Sequence, residues 1–109
     1  MTPPVHQFVA EFNWDDDLSP IAEIIADRKT DFATALMIYW RLDGPWCNSD
    51  APCNAAAGRL NAEVRSKLLD GFYQNRVLSY DPVADNGLTK SQVAKLRRAG
   101  TPSILLDAV

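Results

Sequence analysis

Residues 31–42 read Asp31-Phe32-Ala33-Thr34-Ala35-Leu36-Met37-Ile38-Tyr39-Trp40-Arg41-Leu42. Phe32, Ala35, Leu36, Ile38, Tyr39 and Leu42 recur at helical spacing and cover one broad face, while Ala33, Met37 and Trp40 cover much of the other. A helix that is apolar nearly all round is enclosed by other elements rather than laid on a surface. The stretch therefore predicts a central helix that starts near Thr30 or Asp31 and runs to Leu42. Asp43-Gly44-Pro45 ends it, with glycine available for a left-handed cap and proline unable to continue the helix.

The flanking segments carry the same period. Val5, Phe8, Val9 and Phe12 stand three and four apart, which predicts a short first helix with one apolar stripe. Asn13-Trp14-Asp15-Asp16-Asp17 breaks that pattern, and Ser19-Pro20 reads as an N-cap followed by proline at the first helical position. Ile21, Ile24 and Ile25 supply the buried face of the second helix. Leu60, Val64, Leu68 and Phe72 recur in steps of four through the longest periodic stretch, 55–72. Asp81-Pro82 and Asn86-Gly87 are turn signals. Thr89-Lys90-Ser91-Gln92 has the form of a capping box, followed by Val93 and Leu96 on the core side, with Gly100 and Pro102 closing the last helix. No run alternates as a strand would. The expected fold is all-α: one domain over 1–109, a compact bundle of about five helices around the central one. Residues 100–109 are expected to form a packed extended tail or a frayed one.

A chain of 109 residues with 47 % hydrophobic and 23 % charged side chains can bury its own core without staples and is not a disordered sequence. Its longest uncharged apolar run, Phe32 to Trp40, is about half a bilayer span, and 1–12 lacks the basic start and apolar centre of a signal peptide. A cytoplasmic protein with no membrane association is expected. The net charge of −3 argues against non-specific nucleic-acid binding. It is unevenly spread: residues 1–54 hold three basic and nine acidic side chains, whereas 55–109 hold eight basic and five acidic ones. The acidic half suits a basic partner, unless the two halves pack together and neutralise each other.

Little in the sequence can carry catalysis. Cys47 and Cys53 lie six apart in a Pro- and Asn-containing loop, spaced neither as a redox pair nor as a zinc half-site. Reduced thiols are expected there, although a loop-closing disulfide is geometrically open to them. A nucleophile–histidine pair would have to use His6, the single histidine, and no motif supports it. The five glycines are dispersed and build no phosphate loop. No catalytic residue, metal or cofactor is expected. The competing reading is a small hydrolase that uses carboxylates such as Asp15 and Asp31 as acid and base. Lys95, Arg97 and Arg98 read as cations near a helix C-terminus.

The candidate partner-binding residues are Trp14, Asp15, Asp16, Asp17, Asp43 and Trp46. Three consecutive carboxylates repel one another, so they need a use: placement before a helix N-terminus, a basic partner, or a hard cation. The Ca²⁺-loop pattern is not met. Trp14 and Trp46 lie in loops beside acidic or polar residues, where an aromatic either anchors an interface or closes a lid over the core. Trp40, inside the central helix, is assigned to the core.

Asn13-Trp14-Asp15-Asp16, then Pro20 and Ile24, then Asp31 to Trp40 resembles a small bacterial family known as a domain of unknown function, numbered four-two-seven-four. Leu88 to Gln92 with Leu96 is similar to that family's closing helix, so the resemblance spans roughly residues 6–99. Asp17 departs from it, standing where relatives are expected to carry glycine or another small residue. The resemblance brings no catalytic residue with it. Small stand-alone bacterial proteins of this genre are often immunity proteins, and the expected function is to bind and neutralise a cognate toxin by stoichiometric occlusion. A protein-interaction adaptor unrelated to toxins is the alternative.

Overall fold

The computed structural model of the chain describes residues 4–14, 17–42 and 55–107. These form seven helices and no strand: α1 (Pro4–Ala10), α2 (Ser19–Ala26), α3 (Phe32–Arg41), α4 (Ala55–Leu69), α5 (Pro82–Asp85), α6 (Lys90–Arg98) and α7 (Ser103–Leu106). Helix α3 is the central one. Every residue from Phe32 to Trp40 is buried, on both faces that its sequence marked as apolar. It packs against α1, α2, α4 and α5, and α7 closes on α4. Leu36, Ile38, Val64 and Leu68 are fully enclosed, Phe32, Tyr39 and Leu96 are buried, and Leu60 and Val93 pack against this core from its edge. The Cα radius of gyration, 13.2 Å, is that of a compact domain of this length.

Helix ends leave backbone groups without intrahelical partners, and side chains distant in sequence satisfy several of them here. Tyr73 Oη donates to the Ile25 carbonyl (2.6 Å) and Thr30 Oγ1 to that of Ile24 (2.7 Å), closing the end of α2. Asn61 Nδ2, on α4, donates to the Leu42 carbonyl at 2.8 Å and closes the end of α3. The capping box of α6 forms as its sequence predicts: Thr89 Oγ1 accepts from the Gln92 N–H, and Gln92 Oε1 from the Thr89 N–H. Gly100 turns the chain out of α6 at φ +95°, a conformation that strains any residue with a Cβ.

Two local expectations are revised, and the expected first helix leaves part of its stripe uncovered. Ser19 is the first residue of α2 rather than its cap. Leu18 takes the N-cap position without a side-chain bond, and the Asp17 carboxylate accepts from both the backbone N–H and the hydroxyl of Ser19. The apolar stripe of α1 is mostly not buried: Val9 is enclosed, but Val5 and Phe8 remain 47 % and 44 % exposed. Residues 103–106 are neither extended nor frayed. They form α7, because Leu105 and Leu106 fill the core and Trp40 Nε1 donates to the Leu105 carbonyl at 2.8 Å. The short α5 and α7 bring the helices to seven, against about five read from the period. The expected glycine cap at Gly44 and the two cysteines lie outside the described residues.

Candidate functional site

Asp31 organises the surface at the start of α3. It is the N-cap: Oδ1 accepts the Ala33 N–H at 2.9 Å. Its other oxygen, Oδ2, accepts the N–H groups of Val77 (2.7 Å) and Leu78 (3.1 Å), 46 and 47 residues away. Nearby, the Phe32 N–H donates to the Asn75 carbonyl (2.8 Å) and Asn75 Nδ2 donates to the Lys29 carbonyl (3.3 Å). The Arg76 guanidinium covers the Phe32 ring at 4.2 Å. These bonds fasten the non-helical segment 74–80 along the α2–α3 junction.

Between that segment, α1 and α2 lies a cleft of about 620 Å³. Val5, Ile24, Val77 and Leu78 are its apolar lining, and His6, Asp31 and Thr34 are among its polar residues. Glu23, Asp27 and Lys29 stand at its exposed edge. His6 Nδ1 and Thr34 Oγ1 share a hydrogen bond of 2.8 Å that ties α1 to α3. Burial pushes the His6 pKa below its ordinary value, and the nearby Asp31 carboxylate opposes that shift without cancelling it.

The cleft contains a hydroxyl–imidazole pair and a carboxylate, but their arrangement falls short of a relay. The hydrogen bonds of Asp31 among the described residues go to three backbone amides and none reaches His6, while the Thr34 hydroxyl belongs to a residue only 2 % exposed. Asp31 is thus a structural clamp rather than a free acid or base. Among the described residues, no group of three His, Cys, Asp or Glu side chains could hold a metal ion, and no helix is long and apolar enough to cross a membrane.

Of the residues singled out in the sequence, Trp14 is half-buried against the core, its ring edge-on to Phe12 at 5.2 Å, with Phe8 following at 5.5 Å from Phe12. It serves more as a lid than as a projecting anchor. Asp17 is exposed, and its bonds to Ser19 hold its pKa below the ordinary value. Asp15, Asp16, Asp43 and Trp46 lie outside the described residues. Sequence reasoning missed the cleft residues Glu23, Asp27, Asn75 and Val77. The one available signal was Asp31 itself, a carboxylate directly before an apolar helix, although its second oxygen's partners cannot be read from spacing.

No curated protein and no solved structure matches the chain. A family model does match, over residues 3–66, a span that contains α1 to α3 and the walls of the cleft apart from Asn75, Val77 and Leu78. The similarity read at the closing helix lies beyond that span. By a match over more than half its length, the chain belongs to the family described as a domain of unknown function, DUF4274.

Proposed function

We propose that this chain is an immunity protein that binds a cognate secreted toxin and neutralises it by stoichiometric occlusion, through the outer face of α1 and the cleft beside it. One observation carries the reading. Four large hydrophobic residues are exposed among the described residues, and three of them belong to this face. Val5 (47 %) and Val77 (80 %) line the cleft, and Phe8 (44 %) follows Val5 by one turn of α1. Scattered exposed apolar residues need no explanation, but a group of them around a concavity marks an interaction surface. The carboxylates at the cleft edge and the acidic N-terminal half add a potential suited to a basic partner. Asp15, Asp16 and Asp17 are three of the nine acidic side chains of that half of the sequence. Catalysis is the weaker reading, because Asp31 is engaged by backbone amides.

The test is protection in cells. The product of the adjoining gene is expressed with this chain, with a Val5→Ser/Phe8→Ser/Val77→Ser variant, and with Asp15, Asp16 and Asp17 all replaced by lysine. Protection and a one-to-one complex are expected with the parent chain and are lost in the apolar variant. Protection undiminished by the lysine variant would remove Asp15, Asp16 and Asp17 from the interface. An adjoining product that is neither toxic nor bound would overturn immunity and leave the adaptor reading.

A further inference from the structure

The exposed edge of the cleft carries two carboxylates against one ammonium, and this charge balance bears on what the cleft can hold. Its donors and acceptors are largely engaged internally. The Thr30 hydroxyl donates to Ile24, Thr34 is bonded to His6, Asp31 accepts three amides, and the Asn75 amide and carbonyl are both in use. Two side chains at the edge differ. Glu23 has no hydrogen bond or ion pair among the described residues, and Asp27 uses only Oδ1, which accepts the Lys29 N–H at 2.9 Å. His6 Nδ1 is taken by Thr34, and its Nε2 has no partner among the described residues. Lys29, the cation of the lining, likewise has no ion pair among the described residues, so Glu23, Asp27 and Lys29 together leave the edge with one negative charge in excess.

We infer that the cleft is a binding pocket for one basic side chain, lysine or arginine, presented by the partner protein, with Glu23 and Asp27 taking the cationic head and Val5, Ile24, Val77 and Leu78 enclosing the methylene stem. Lysine and arginine heads are donors without acceptors, which is what a pocket edged by unpartnered carboxylates requires. Their stems bury against apolar walls while the charge stays at the mouth. An acidic side chain would meet an edge that is negative on balance, and an uncharged apolar one would leave that excess charge without a partner. The inference rests on the protein-binding reading above and names the chemistry of that partner at one point of contact.

The experiment needs no partner protein. Amide signals of the isotope-labelled full chain are followed by NMR during titration with N-acetyl-arginine methylamide, N-acetyl-lysine methylamide, N-acetyl-norleucine methylamide and N-acetyl-glutamate methylamide. The two cationic probes are expected to shift His6, Ile24, Val77 and Leu78 saturably at millimolar concentrations. Norleucine, which has the stem without the charge, should bind about tenfold more weakly or worse, a difference of about 1.4 kcal/mol. The Glu23→Gln/Asp27→Asn variant retains the Asp27 Oδ1 acceptor as an amide oxygen and should abolish the preference for cations. Equal binding of norleucine, shifts confined to other surfaces, or no saturable shift would overturn the pocket assignment. A chain that binds the cationic probes but fails to protect cells keeps the pocket and loses immunity. A chain that protects but ignores the probes keeps immunity and loses the pocket.

Discussion

Asp31 Oδ2 accepts the backbone N–H of Val77 at 2.7 Å, so a single carboxylate both caps the central helix and fixes a segment 46 residues further along. The cleft depends on that double use, since Val77 and Leu78 belong to its apolar lining. Asp31→Ala removes the acceptor for three amides and should cost about 2–4 kcal/mol of stability. Asp31→Asn can keep the cap through its amide oxygen but turns an N–H₂ toward the donors of Val77 and Leu78. It should cost less overall, while the Val77 and Leu78 amides lose protection selectively. Urea denaturation with residue-resolved hydrogen exchange reads both effects. Unchanged exchange at those two amides in the Asn variant would contradict the clamp.

Leu36 is fully enclosed on the central helix. Replacing it with alanine should lower stability by about 2–5 kcal/mol, the range for a buried leucine whose surroundings relax only in part. Chemical denaturation gives the value; a loss under about 1 kcal/mol would mean that position is not enclosed as described.

The third prediction concerns the C-terminal segment. Trp40→Phe keeps the ring but leaves the buried Leu105 carbonyl without its donor, at a cost of about 1–3 kcal/mol. Leu105→Ala/Leu106→Ala should be more damaging, since both side chains are fully enclosed. In the parent chain the Trp40 indole proton should exchange with solvent as slowly as the amides of α3. Rapid exchange of that proton would show α7 undocked.

Much of the architecture was legible because it is local. Apolar residues all round 32–40 identified the central helix, and Asp31 and the Thr89–Gln92 capping box fixed the starts of two helices within a residue. What stayed hidden depends on contacts distant in sequence. Ser103 to Leu106 is too short to show a period, and its helix exists because Leu105 and Leu106 find the core and Trp40. Val5 and Phe8 have the spacing of a buried stripe, yet only Val9 of that helix is enclosed, since periodicity reports a face and not what covers it. The cleft was invisible for the same reason: Val77 and Asn75 belong to a non-helical stretch held in place by a carboxylate on the other side of α4.

His6 makes stability depend on pH in a definite direction. Burial lowers its pKa in the fold from the ordinary 6.5, so the unfolded chain binds the proton more readily. The stabilising contribution is complete above pH 6.5 and is lost as pH falls from there through the lowered folded value. Urea midpoints should decline over that window, and His6→Asn should lack this component while the carboxylate-driven loss at lower pH persists. An NMR titration that placed the His6 pKa above 6.5 would reverse the sign and contradict the burial of this ring.

The most direct measurement is a hydrogen-exchange footprint of the full chain in complex with the partner that the proposed function calls for, sought first in the product of the adjoining gene. Protection is expected to concentrate on residues 4–8 of α1, on 23–34 around the carboxylate edge, and on 75–78. Protection confined to α6, or to the opposite face of α4, with the α1 face and the cleft exchanging as in the free protein, would contradict the assignment of the binding surface.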